Sequence, residues 1–522
     1  IFEVRMIKSL QCILLITSFM SVSLFGGKNI GLTKEIDNLR ECVVCSVKVR
    51  RENGSGLSLI EGEMTLGYAD SFWVEEDETA YLLDTYGKRV LEFSKKGSRE
   101  ILLPGTVLPA DIVTCDENIV IFDDLLSEIL IYTKQGELLA HNKIQQDKDY
   151  VKQLSCVNGT VWLETYGHCR YLVHPETAAV SLQEEKKLPA VTVGDYDYAE
   201  YLETDEDGTV YSVHTSLVED CVVISGELTL RAMSADGELK GSYILPVTEY
   251  TYLPDRYIQV HQNGNIYLMV PSDTTVEIRK ISLASSTESS LLELGEEAEK
   301  LEHIYADKTR TRKRNGTSCT EKIRFSREEA KERALAMATY KWTLKKTHTN
   351  ISKAEKGVVL PREIAFLKEK HANDSSWKET VIGIPYCWGG FYALDTGFKG
   401  NTFQKMLDKK YVAGNINPVG NLKYMTAGVD CSGYVGAAFG FTKKYNTSAL
   451  SDIGSGVTNI KELEQMDIFV YPGEHVIFFM DWLDDATILV SEAAVREGKV
   501  SVHPKPLNEF VISGQYQIRS PW

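Results

Sequence analysis

Through the first 295 residues, short apolar runs of alternating polarity are broken by Gly-containing turns, the pattern of many short β-strands. Tyr81-Leu-Leu-Asp84 followed by Val90-Leu-Glu-Phe93-Ser-Lys-Lys-Gly97 matches Val120-Ile-Phe-Asp123 followed by Ile129-Leu-Ile-Tyr132-Thr-Lys-Gln-Gly136. The acid, the aromatic and the glycine keep their spacing, and Asp123 stands 39 positions after Asp84. A second signature recurs as Asn158-Gly-Thr-Val-Trp162, Asp207-Gly-Thr-Val-Tyr211 and Asn263-Gly-Asn-Ile-Tyr267. Each is a Gly turn entering an alternating run, which is a hairpin signal.

Five such units fill residues 62–295, at roughly 45 residues each, the period of propeller blades. The pattern resembles six-bladed β-propellers of the NHL-like kind. A sixth blade could be closed by the segment before Trp73 together with residues after Leu291, so six blades are expected. A pair of β-sandwiches is the alternative. His168, His174 and His214 lack metal-ligand spacing, and Trp162 and Tyr211 occupy strand positions where blade core is expected. The blades therefore read as a recognition or spacing module whose ligand the sequence does not name.

From residue 296 the repeat disappears. Residues 296–325 form a charged linker that includes the run KTRTRKRNG from Lys308. Solvation is the expected fate of that run, with contact to anionic wall polymer or lipid as the alternative. Ser326-Arg-Glu-Glu329 is a capping box, and Ala330, Ala334, Met337 and Ala338 give the following helix one apolar stripe. At the other end, counting from Met6, Lys8 precedes an apolar run from Ile13 to Phe25 and then small residues. This layout is that of a secretory signal peptide over residues 1–27, with an uncleaved anchor as the alternative. Residues 28–61 are an N-terminal segment outside the repeats. No other stretch is long and apolar enough to span a bilayer, so a protein outside the cytoplasm, secreted or associated with the cell envelope, is expected.

Composition narrows the reading. The formal charge of −17 argues against a nucleic-acid partner, which requires a basic footprint. With 43% hydrophobic and 25% charged residues, the chain belongs with folded globular proteins. Ten cysteines are too few for a disulfide scaffold, and only Cys42 and Cys45 are closely spaced.

The chemistry is concentrated in the last 150 residues. Gly383-Ile-Pro-Tyr386-Cys-Trp-Gly389-Gly390 comes first, then Val429-Asp430-Cys431-Ser432-Gly433 opening a run of small and apolar residues that suits a buried helix. Met466-Asp467-Ile-Phe-Val-Tyr-Pro-Gly473-Glu474-His475-Val-Ile-Phe-Phe479 and Ile488-Leu-Val-Ser-Glu492 follow as a hairpin. A cysteine nucleophile must be a thiolate, and a helix N-terminus lowers its pKa. Cys431 stands there, His475 is the candidate base, and alternation along the hairpin allows Glu492 to orient the imidazole.

The order PYxWGG, DCSG, DxxxYxGxHV, EA resembles the NlpC/P60 family of cysteine peptidases over residues 326–522. The resemblance implies a papain-like α+β domain and, for the whole chain, a multidomain enzyme with an all-β propeller in front. It further implies hydrolysis of amide bonds in peptidoglycan stem peptides, of the D,L-endopeptidase type, with no metal or cofactor. Cys431 would be the nucleophile and His475 the base. Tyr386 would lie beside the nucleophile near the oxyanion, with Asp430 and Ser432 contacting the substrate amine or backbone. Two other functions stand beside this one: an amidase on a different substrate, and a binding or adhesion protein whose papain-like domain is degenerate.

Three features depart from the family pattern. Glu492 stands where the family most often has His. Residues 391–428 form a long insertion between the Gly-Gly box and the cysteine, expected to wall the cleft. Cys387 replaces a more usual apolar residue and reads as a packed thiol.

Overall fold

The structure, a computed structural model, describes residues 41–50, 57–58, 69–105, 107–144, 150–166, 169–185, 198–217, 223–285 and 319–522. The expected signal peptide and most of the charged linker lie outside the described residues. The chain divides into two compact units: Ile1–Ile60, Gly67–Thr215 and Glu227–Glu293 in one, and Glu61–Leu66, Ser216–Gly226 and Leu294–Trp522 in the other. Among the described residues, no helix is long and apolar enough to cross a membrane.

The first unit is all β and propeller-like, with sheets built from four or five strands. Sheet 1 holds Ser71–Val74, Ala80–Asp84, Arg89–Ser94 and Gly97–Leu102; sheet 2 holds Pro109–Cys115, Asn118–Asp123, Glu128–Thr133 and Leu138–Lys143. Sheet 3 runs from Val151–Val157 to Val180–Glu185, and sheet 4 from Tyr198–Thr204 to Leu239–Ile244. Sheet 5 takes Ile258–Val260, Ile266–Pro271 and Thr275–Ile281, and its fourth strand is β1 (Glu41–Arg50).

That last pairing bears on the expected sixth blade, whose other part, the residues after Leu291, lies outside the described residues. The segment before Trp73 does close a sheet, but the sheet is the fifth, and the described residues of this unit form five sheets, three of four strands and two of five. β1 pairs antiparallel with Thr275–Ile281, so the segment expected to stand outside the repeats is part of them. The closure is hydrophobic: Val47, Met269 and Ile278 of sheet 5 pack with Phe72, Leu82 and Leu91 of sheet 1. Sheets 1 and 2 share Tyr81, Leu83, Ile112 and Ile121, and sheets 2 and 3 share Val113, Ile129, Leu154 and Leu163. Sheets 5, 1, 2 and 3 thus bury faces against one another in turn, which is why the repeats occur together.

The repeated residues have local causes. Asp84 Oδ1 accepts the Gly87 N–H at 2.7 Å, and Asp123 Oδ1 accepts the Leu126 N–H at 3.0 Å, so the repeated acid caps the turn into the third strand. Asn158 and Gly159 both have positive φ, 51° and 72°, the left-handed pair that a two-residue hairpin turn requires. At the centre of the unit, Asp111 of sheet 2 accepts from Ser71 of sheet 1, from the Leu154 N–H of sheet 3 at 2.6 Å and from Arg256 at 2.6 and 3.1 Å. This buried ion pair therefore ties three sheets to the segment that leads into the fifth. A disulfide between Cys115 and Cys156, with Cα atoms 5.6 Å apart, links sheets 2 and 3. It joins residues 41 apart in sequence, and the sequence reading had singled out only Cys42 and Cys45.

The second unit sets helices on a six-stranded antiparallel sheet. Its strands include β2 (Ile468–Tyr471), β3 (His475–Trp482), β4 (Thr487–Ala494), β5 (Lys499–Pro506) and β6 (Gln517–Ser520). The order is Ser455–Gly456, β6, β2, β3, β4, β5. Helix α1 (Arg327–Ala338) carries the expected capping box, with Ala330, Ala334 and Met337 buried. Helix α2 (Cys431–Ala438) is buried along its whole length and meets β3 through edge-on contacts of Tyr434 and Phe439 with Phe478. Arg333 of α1 donates to the Ala437 carbonyl, closing the C-terminal end of α2.

Candidate active site

Helix α2 begins where the sequence places it because Asp430 caps it: its carboxylate accepts the Gly433 N–H at 2.7 Å. Gly433 is required there, since a Cβ would sit 2.1 Å from the Gly390 carbonyl oxygen. The Gly-Gly box therefore lies directly on the first turn of α2 despite the long insertion between them. Tyr386, fully buried, forms a parallel bridge to Val429, two residues before Cys431.

Cys431 occupies the first helical position, and its thiol approaches the Glu474 carbonyl at 4.0 Å. Glu474 is the residue before His475, so the thiol stands at the start of β3. His475 and Glu492 hydrogen-bond through Nε2 and Oε2, as the hairpin alternation allowed. Because Nε2 serves the carboxylate, Nδ1 is the ring nitrogen that can serve the thiol. Both side chains are about 2–3% exposed. Ser491, the neighbour that alternation turns the other way, pairs with the Tyr434 hydroxyl at 2.6 Å.

Two residues that the sequence reading missed complete this cluster. His503 Nε2 lies 2.9 Å from Glu492 Oε1, and Lys505 Nζ lies 3.4 Å from the same oxygen. Burial alone would push the Glu492 carboxyl up, but Lys505, His475 and His503 hold it well below the ordinary carboxylate range. Burial lowers His503, yet Glu497 and Glu492 outweigh it and hold the imidazole above its ordinary range. Both residues sit on β5, whose Pro504 and Pro506 read against a strand. The structure places β5 at the sheet edge, where proline is tolerated. Alternation of Ser501, His503 and Lys505 was the signal that could have found them.

Asp430 and Ser432 have partners within the protein. Lys444 Nζ lies 2.8 Å from Asp430 Oδ2 and 3.1 Å from Ser432 Oγ. The carboxylate, 2% exposed, thus carries a helix cap and an ion pair. Cys387 is buried, donates to Thr426 Oγ1 at 3.4 Å, and burial pushes its thiol up to about 12. It is chemically quiet.

The insertion packs against the box that precedes it. Trp388 Nε1 donates to the Gly420 carbonyl at 2.6 Å, and the Trp388 N–H donates to the Asn415 carbonyl at 2.8 Å. Asn415, fully buried, also accepts the Val359 N–H at 3.0 Å. Val419 and Tyr424 of the insertion stay largely exposed.

No protein-family model matches the chain, and no curated protein matches its sequence. Among solved structures it is similar to a streptogramin B lyase at 13% identity, covering 41% of this chain and 78% of that one, with a TM-score of 0.27. For BamB from Moraxella catarrhalis the identity is 8%, the coverages 46% and 100%, and the TM-score 0.26. For hydrazine synthase from Kuenenia stuttgartiensis they are 13%, 46% and 82%, and 0.30. Likenesses this distant bear on no residue of the site.

Proposed function

We propose that the second unit is a papain-like cysteine amide hydrolase of the NlpC/P60 kind, acting on peptidoglycan stem peptides. The observation that carries the reading is the seating of Cys431 at the head of a buried helix, with its thiol at the residue before a carboxylate-bound His475. The helix dipole and the imidazolium favour the thiolate. The thiolate adds to the scissile carbonyl, and His475 passes its proton to the leaving amine. Water, deprotonated by the same imidazole, then releases the acyl group. The backbone N–H of Cys431 belongs to the first helical turn, where donors lack intrahelical acceptors, and is the candidate oxyanion donor together with Tyr386.

The first unit is assigned a recognition role toward a wall or protein ligand. The Cys115–Cys156 disulfide supports an oxidising compartment, in line with the expected signal peptide. The test is mass spectrometry of purified peptidoglycan digested with the whole protein. New stem-peptide termini are expected from the native chain and none from Cys431→Ala, whose thermal midpoint should stay nearly unchanged. Turnover retained by Cys431→Ala overturns the assignment of the nucleophile, and absence of cleavage by the native chain overturns the substrate.

A further inference from the structure

A buried carboxylate beside a catalytic histidine acts on both its orientation and its charge. A carboxylate beside an imidazole stabilises the imidazolium, and a competing cation on the same carboxylate weakens that hold. Where the resembled family most often places a second imidazole, this chain has a carboxylate held well below its ordinary range. The surroundings supply two cations. Glu492 Oε2 faces His475 on β3, while Oε1 faces His503 and Lys505 on β5. The carboxylate is thus divided, one oxygen for the base and one for the pair opposite.

We propose that His503 and Lys505 are positioning residues that share the charge of Glu492 with His475, so that the carboxylate orients the imidazole without locking its proton in place. This rests on the assignment of His475 as the base. Its physical content is a coupling through one buried carboxylate, since each cation on Oε1 weakens the hold of Oε2 on the imidazolium.

The other groups around the cluster are accounted for. Glu509 of helix α3 (Leu507–Ser513) binds Lys505 at 2.7 Å, and Arg496 opposes that lysine's charge from the turn between β4 and β5. Glu497, in the same turn, favours protonated His503, and Ser501 Oγ contacts His503 Nδ1 at 3.1 Å. From α2, Tyr434 and Cys431 face the region, and Tyr516, just before β6, lies within electrostatic range of Glu492 and Cys431. His503 and Lys505 are the cations that meet Glu492 from the side away from His475.

The experiment is a pH titration of His475 by NMR in the whole protein carrying isotope-labelled histidine, with the signal assigned by its loss in His475→Gln. It needs no substrate, so failure of the proposed function, seen as absence of peptidoglycan cleavage, is read separately. His503→Gln and Lys505→Met should each raise the His475 midpoint by about one pH unit, because each removes a positive charge across the carboxylate. Lys505→Arg keeps the charge and should leave the midpoint in place. In a Glu492→Gln background the same substitutions should move it by less than a third as much. Unmoved midpoints in both single variants overturn the proposal, as do equal shifts with and without the Glu492 carboxylate. If His503→Gln fails to fold, the lysine pair decides alone.

Discussion

Asp111 in one unit and Glu492 in the other are buried carboxylates with cationic partners, and the two clusters differ in what those partners can do. Asp111 is held by an Arg guanidinium, a backbone N–H and a serine hydroxyl, none of which changes charge near neutral pH. Glu492 is held by two imidazoles and a lysine. The same desolvation cost is offset in both places. With partners that do not titrate, the result is a fixed strut joining three sheets to the segment before the fifth; with imidazoles, it is a cluster whose partners are of a titratable kind. Perturbed titratable groups cluster at functional sites, and structural ion pairs such as Asp111 with Arg256 are the other place where buried charges meet.

The comparison breaks most visibly at Arg256. Replacing it by Leu leaves Asp111 charged and buried, and should destabilise the first unit by about 3–5 kcal/mol in a denaturant titration. Activity on a soluble stem peptide, measured well below the unfolding midpoint, should be unchanged. The double variant Arg256→Leu with Asp111→Leu should recover much of the loss. A single variant as stable as the native chain would deny Asp111 its role as a strut.

At Glu492 the expected loss is in rate. Glu492→Gln keeps the size but removes the charge, and should lower kcat/KM by about 10- to 1000-fold, or roughly 1.4–4 kcal/mol. The imidazolium loses its counter-charge, so the alkaline limb of the pH–rate profile should move to lower pH, read as a property of the coupled set. Glu492→His should cost less than Glu492→Ala. The folded carboxyl is held below its unfolded value, so its stabilising contribution is present above the ordinary carboxylate range. That contribution is lost only as pH falls through the depressed value. A Glu492→Ala enzyme with native rate and profile would remove this residue from the mechanism.

How much of this was legible in the sequence depends on how local each signal is. The capping box at Ser326, the start of α2 at Cys431 and the turns at Asn158-Gly159 depend on neighbouring residues, and the chain displays them. The pairing of His475 with Glu492 followed from alternation across one hairpin. The closing strand β1 pairs with a strand more than 200 residues away, and the Cys115–Cys156 disulfide joins consecutive sheets. Neither has a local signature. His503 and Lys505 were hidden by the prolines of β5, whose edge position could not be known before the sheet order.

The smallest effect returns to the repeat and asks what a buried carboxylate does when its cation is missing. Asp84 and Asp123 hold the same place in successive sheets, each fully buried and each accepting a turn N–H. Five positions on, sheet 1 has Arg89, 2.8 Å from Asp84, while sheet 2 has Glu128. Burial pushes Asp123 up to about 6, with Asp124 and Glu128 adding to the rise and the Leu126 and Leu108 N–H groups opposing it. A folded value above the unfolded one means a contribution to stability that is present at acid pH and lost as pH rises through about 6. Glu128→Arg would supply the missing cation in the geometry of the preceding sheet. Since an arginine there would be partly solvated, the gain should be modest, about 0.5–1 kcal/mol at pH 7. At pH 5, where native Asp123 already carries its proton, the gain should shrink. Thermal midpoints of the native and Glu128→Arg proteins at the two pH values check this. A stabilisation equal at both would assign the effect to relief of surface repulsion and not to the ionisation of Asp123.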